Sequence, residues 1–163
     1  MLRNLLKIAL CFPIITIQAA EINDVSPECP LPNFKEMNQI VNFSKTHHKA
    51  LYLGFWASWC GPCQASFPFL QNLHQELSTQ GLEVVAVNVD ETRDDALAFL
   101  NKHPADFTVL ADPEGSCPQK FQLKVMPTSF LINAEGKIVG MWQGFHEDEK
   151  QSILQHIKKV MTP

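Results

Sequence analysis

Between Ala50 and Leu77 the chain passes from an unbroken run of mostly apolar residues, Ala-Leu-Tyr-Leu-Gly-Phe-Trp56, through Cys60-Gly-Pro-Cys63 into a different pattern. Apolar residues then recur at Phe67, Leu70, Leu73 and Leu77. The unbroken run predicts a central β-strand covered on both faces. The recurrence predicts an amphipathic helix that ends at Gly81. A buried strand feeding directly into a helix commits the chain to an α/β architecture.

The two cysteines lie at the junction. Cys60 falls at a helix N-terminus, where free N–H groups and the macrodipole favour a thiolate. Cys63 falls one turn further in, within disulfide reach and more shielded. This spacing suits a redox pair in which Cys60 attacks a substrate disulfide and Cys63 resolves the mixed disulfide. A zinc site would need a second pair at metal-ligand spacing, and the sequence has none. A purely structural bridge across so short a loop is strained.

The remaining elements follow the same alternation. Leu82 to Val89 reads as a second buried strand, and Asp94 to His103 as a helix with Leu97 and Leu100 inward, stopped by Pro104. Phe107 to Leu110 is a short strand and Ser116 to Phe121 a short helix. Thr128 to Ile132 and Lys137 to Trp142 form a hairpin through Asn133-Ala-Glu-Gly136. Glu147 to Val160 closes the chain as a helix with Ile153, Ile157 and Val160 inward. Ahead of the first long strand, Pro27, Pro30 and Pro32 keep Ser26 to Phe34 extended, and a short helix is expected around Met37 to Ser44. Together these elements predict a three-layer α/β/α sandwich with a mixed central sheet.

The N-terminus has a separate character. Arg3 and Lys7 precede an apolar run from Ile8 to Ile17, followed by Ala19-Ala20 and the polar stretch Glu21-Ile22-Asn23-Asp24. Residues 1–20 are expected to be a signal peptide, or else an uncleaved membrane anchor, ahead of one domain over residues 21–163. A lipidated Cys11 is disfavoured by bulky Leu10 before it. The sequence contains five cysteines, and Cys11 lies in this leader. The other four, Cys29, Cys60, Cys63 and Cys117, form an even set, as an oxidising compartment allows. Four cysteines permit three pairings. Cys60 with Cys63 and Cys29 with Cys117 is the expected one, the second a structural disulfide. Two separate thiols, or a bridge that exchanges with Cys60, are the alternatives. The 13 basic and 17 acidic residues are scattered, which excludes a basic face for nucleic acid.

At this point the sequence resembles the thioredoxin superfamily, in its exported TlpA-like branch (TlpA/ResA/DsbE-type). Phe55-Trp-Ala-Ser-Trp-Cys-Gly-Pro-Cys63 is similar to the family's active-site run, and Val125-Met-Pro-Thr128 to its cis-proline segment. Cys29-Pro-Leu-Pro-Asn-Phe34, Val84-Val-Ala-Val-Asn-Val-Asp90 with the helix after it, and Phe130-Leu-Ile-Asn-Ala-Glu-Gly136 extend the likeness over about residues 26–160. The resemblance implies a thioredoxin fold with an inserted strand–helix. It also implies thiol–disulfide exchange in the periplasm and a part in cell redox homeostasis. Pro127 would be cis and face the dithiol, and Met126 would pair its backbone with an extended substrate segment. Trp59, with Gly61 and Pro62, would form the docking surface, and Trp56 would pack beside the site.

Gly61-Pro62 is the dipeptide of thioredoxin itself, so the resemblance implies a reductase supplied with electrons by a membrane donor of the DsbD type. Cytochrome c maturation, by reducing apocytochrome or a copper-site assembly factor, is the second reading. A Cu(I)-binding metallochaperone is the alternative of another class. No cofactor and no metal-ligand set is read from the sequence. Two departures stand out: Gly54 and Ser66 occupy positions where relatives carry a buried aspartate or glutamate. The proton acceptor for Cys63 is thereby left open, with Asp90 or Glu91 acting through water as one route. His47 and His48 read as solvated surface. His74, His103, His146 and His156 read as surface or helix-end residues.

Overall fold

A computed structural model describes residues 20–45 and 48–162. The expected leader therefore lies outside the described residues except for Ala20, and His47 lies outside them too. The elements are β1 (Pro30–Pro32), β2 (Ile40–Asn42), β3 (Ala50–Trp56), α1 (Gly61–Leu77), β4 (Leu82–Asn88), α2 (Arg93–Lys102), β5 (Thr108–Ala111), α3 (Ser116–Phe121), β6 (Thr128–Asn133), β7 (Ile138–Gln143) and α4 (Lys150–Met161). No helix among the described residues is long and apolar enough to cross a membrane.

The central sheet runs β5-β4-β3-β6-β7, with β3 in the middle. β4 lies parallel to β3 and β5 parallel to β4, whereas β6 and β7 are antiparallel, so the sheet is mixed. Every residue of β3 is buried. Ala50, Tyr52 and Trp56 face a core shared with α1, α2 and α4, while Leu51, Leu53 and Phe55 face a core shared with α3 and the N-terminal hairpin. An unbroken apolar run is what a strand buried on both faces requires. The molecule is thus a three-layer α/β/α sandwich, its second outer layer made by α3 and the β1–β2 hairpin. The added step after β4 reads helix then strand, α2 and β5, and puts a parallel strand at the sheet edge.

α1 buries Phe67, Leu70, Leu73 and Leu77 as their spacing predicts, together with Cys63, Ser66 and Phe69. It continues through Pro68, whose missing N–H removes one intrahelical bond to the Gln64 carbonyl. A 3-10 turn, Ser78–Gln80, then leads to Gly81 at φ +108, a conformation that glycine adopts without a Cβ clash.

The structure departs from the sequence reading in three places. The short helix expected around Met37 to Ser44 is instead strand β2 followed by a 3-10 turn at Phe43–Lys45. Side chains decide this: Asn33 Oδ1 accepts the Lys35 and Glu36 N–H groups and turns the chain, so that β2 pairs antiparallel with β1. Asn42 Oδ1 then accepts both the N–H and the hydroxyl of Ser44. In α2 the buried residues are Ala96 and Phe99, with Leu97 and Leu100 half-buried at the flanks. Phe99 wins because Trp56 and Phe67 offer it an aromatic pocket, with ring centroids 4.6 and 4.8 Å away. In α4 the inward set is Ile153, Ile157 and Met161, while Val160 is half-buried. Val160 and Met161 follow Ile157 by three and four residues, so both fit the helical period, and packing buries Met161 the more deeply.

Candidate active site

The site is built where β3 stops. After Trp56 the chain makes a turn in which the Cys60 N–H donates to the Ala57 carbonyl at 3.2 Å. Cys60 is the N-cap of α1, with φ −88 and ψ 100, and the Cys63 N–H donates to its carbonyl at 3.0 Å. Gly61 and Pro62 fill the first turn, where a proline costs nothing because that N–H would be unpaired in any case. Both are exposed. Cys60 and Cys63 are joined in a disulfide with Cα atoms 5.3 Å apart. Cys60 keeps 5% of its surface and Cys63 none, so the N-cap sulfur is the one a partner can reach.

The Met126–Pro127 peptide bond is cis. Thr128, the next residue, opens β6 opposite Phe55 near the C-terminal end of β3. That places the cis-proline segment at the end of the sheet from which the dithiol turn departs. Two bonds hold it: the Gly144 N–H donates to the Pro127 carbonyl at 2.7 Å, and the Thr128 hydroxyl to the Val125 carbonyl at 2.7 Å. Met126 is half-buried against the core cluster that includes both cysteines. Trp59 is 70% exposed, and Val125, which the sequence alone does not flag, is also exposed. Trp56 is buried beside the site, its ring packed on Phe67 and Phe99.

Polar groups on the elements around the dithiol are arranged as follows. The Ser66 hydroxyl donates to the Cys63 carbonyl at 2.9 Å. A Cβ on Gly54 would lie 3.7 Å from Ser129 Oγ and 3.8 Å from Leu70 Cδ1. Tyr52, on the same face of β3, is hydrogen-bonded to Ser129, and burial pushes its phenol up to about 12. Asp90, an acid the sequence offers as a proton acceptor for Cys63, commits its carboxylate elsewhere. It accepts the Ser58 N–H at 3.1 and 3.0 Å, the Ser58 hydroxyl at 2.8 Å and the Asn88 amide at 2.6 Å. Glu91 is exposed. The role of Ser58 is missed in the sequence, although a polar Asn88-Val-Asp90 ending a buried strand is the signal that points to it.

Cys29 and Cys117 form the second disulfide, with Cα atoms 5.7 Å apart, buried in the core on the opposite face of the sheet. It joins the lead-in to the first turn of α3. Of the histidines, His48 pairs with Glu83 at 2.8 Å. His103 packs on Phe99 and His156 on Trp142, while His74 sits in the last turn of α1. Among the described residues no cluster of three or more His, Cys, Asp or Glu side chains is arranged to hold a metal ion.

Known proteins are similar to this chain. The Redoxin family model matches residues 20–157. The thiol-disulfide oxidoreductase ResA of Bacillus subtilis is 32% identical over 139 residues, which is 83% of this chain and 78% of that protein. ResA of Oceanobacillus iheyensis is 32% identical over 125 residues, 76% of this chain and 65% of that protein. The crystal structure of a candidate thiol:disulfide interchange protein DsbE from Chlorobium tepidum superposes with a TM-score of 0.83 at 38% identity, covering 88% of this chain and all of that one. The solution structure of a candidate protein disulfide isomerase from Bacteroides thetaiotaomicron shares the fold, with a TM-score of 0.78 at 24% identity, over 87% of this chain and 91% of that one. A buried redox-spaced cysteine pair, a cis proline beside it and these likenesses lead to one conclusion: the chain belongs to the Redoxin family, as a thiol-disulfide oxidoreductase of the TlpA/ResA/DsbE type.

Proposed function

We propose that the protein is an exported, periplasmic disulfide reductase that works through Cys60-Gly-Pro-Cys63. The observation that carries this reading is Cys60 as the N-cap of α1, more exposed than its bonded partner Cys63 and beside a cis proline. In the reduced protein, the Cys60 thiolate attacks one sulfur of a substrate disulfide, forms a mixed disulfide and releases a substrate thiolate. The Cys63 thiolate then attacks Cys60 Sγ, closes the 60–63 disulfide and releases the second substrate thiolate. Two electrons pass to the substrate, and the protons lost by the two cysteines appear on its two thiols. Helix N–H groups at the N-cap favour the Cys60 thiolate that starts the sequence.

Trp59, Val125 and the backbone of Met126 serve as the docking surface, with Gly61 and Pro62 leaving the approach to Cys60 open. Cys29–Cys117 serves as a structural bridge. Residues 1–20 serve for export, as a cleaved leader or an anchor, ahead of the domain at 21–163. A membrane donor of the DsbD type resupplies electrons, because each turnover leaves the dithiol oxidised. The test is insulin reduction together with the potential of the Cys60–Cys63 pair. Turnover lost in Cys60→Ser and a potential near −270 mV, about the thioredoxin value, are expected. A potential near −120 mV, about that of a strong oxidant, would reverse the direction assigned here.

A further inference from the structure

We propose that Asp90 is a positioning residue for the dithiol, tethering the turn that delivers Cys60 to the buried end of β4. The inference rests on the exchange function proposed above. Asp90 is buried, at 4% exposure, and an unpaired buried carboxylate is costly. Among the described residues its carboxylate accepts from two neighbours: Ser58, through both the N–H and the hydroxyl, and the Asn88 amide. Such bonds to a charged acceptor are stronger than neutral ones.

The two ends of this tether differ in how their backbone is bonded. Asn88 is the last residue of a central strand and 2% exposed. Its carbonyl accepts the Asp112 N–H at 2.8 Å, and Asp112 in turn accepts the N–H groups of Ser116 and Cys117 at the start of α3. Ser58 instead lies in the irregular segment between Trp56 and Cys60, two residues before the attacking sulfur. The start of that segment is held by the sheet, where the Val89 N–H donates to the Trp56 carbonyl at 3.0 Å. Among the described residues, Asp90 supplies the side-chain hydrogen bonds to residues 57–59.

Closure of the 60–63 disulfide depends on how narrowly Cys60 is held against Cys63. A free turn samples many conformers, and ordering it on closure costs entropy. A turn already tethered raises the effective concentration of one sulfur at the other. The balanced reaction that reads this is protein dithiol plus oxidised glutathione giving protein disulfide plus two reduced glutathiones.

The experiment measures that equilibrium for the full chain, its Asp90→Asn and Ser58→Ala variants and the double variant, with thermal unfolding of the oxidised and reduced forms of each. Asp90→Asn is expected to lower the closure constant about tenfold, a potential about 30 mV more oxidising. Ser58→Ala, which leaves the charge and the N–H contacts in place and removes only the hydroxyl's bond, is expected to lower it about threefold. The double variant should go no further than Asp90→Asn, because the two side chains act as one unit. Closure constants equal to wild type, with the oxidised and reduced forms destabilised alike, would show a merely structural carboxylate and overturn the proposal. If Asp90→Asn does not fold, Ser58→Ala decides by the same criterion. A wild-type pair that never equilibrates with glutathione overturns the exchange function and the positioning role together, whereas unchanged variants in an equilibrating protein overturn the positioning role alone.

Discussion

Tyr52 shows how one side chain registers its surroundings. It lies in the middle of β3, stacked on Trp142 with centroids 5.9 Å apart and edge-on to Phe69 at 6.3 Å. Burial disfavours the phenolate first, the hydrogen bond to Ser129 opposes this, and the charge of Glu149 adds to it. The outcome is a pKa of about 12 against an ordinary 10.0. A folded-state pKa above the unfolded one contributes stability that is fully present below pH 10 and is lost as pH rises toward 12. The loss should reach about 2–3 kcal/mol. Tyr52 is the one tyrosine in the sequence, so tyrosinate absorbance reports it directly. The folded protein should titrate near 12, and the urea-unfolded protein near 10. A folded-state midpoint near 10 would mean that the ring is not buried as described.

At the scale of elements, α1 both carries the dithiol and supplies the core face that fixes it. Phe67 meets Trp56 at 4.8 Å, Phe99 at 4.8 Å and Phe107 at 5.7 Å, so one side chain joins α1 to β3, α2 and the approach to β5. Phe67→Ala removes the centre of that cluster and should cost about 3–5 kcal/mol. Denaturant unfolding reads this as a lower midpoint with an unchanged slope. A loss below about 1 kcal/mol would show that the neighbouring rings collapse into the space. The periodicity of α1 is legible in the sequence because one face carries all the contacts. In α2 it is not, since the helix is short and mostly exposed, and a single aromatic pocket outside it selects Phe99 over Leu97 and Leu100.

At the scale of the whole molecule, the Cys29–Cys117 bridge is the covalent link between the lead-in and the body of the fold. It closes a loop of 88 positions, and in the chain-entropy account such a crosslink contributes about 4–5 kcal/mol. The double variant Cys29→Ala/Cys117→Ala should lose stability of that order while keeping insulin reduction at temperatures where it stays folded. The bridge lies on the face of the sheet opposite α1, so its removal leaves the dithiol cluster intact. Insulin reduction abolished in a folded double variant would mean that the second bridge takes part in exchange.

The amino-acid sequence by itself determined the central strand, the helix after it and the redox spacing of Cys60 and Cys63. These depend on local pattern: an unbroken apolar run, a helical recurrence and a dithiol at the junction. It also carried the hairpin, marked by its turn residues Asn133 to Gly136, and the short helix at Ser116–Phe121. Only the tertiary structure decided which cysteines meet across 88 positions, which way α2 and α4 turn their faces, and that residues 40–42 pair as a strand. The same holds for Asp90, whose neighbour Ser58 is 32 residues away in the chain but 2.8 Å away in space. Local periodicity is written in consecutive residues, whereas a buried carboxylate takes its role from whatever donors the fold brings to it.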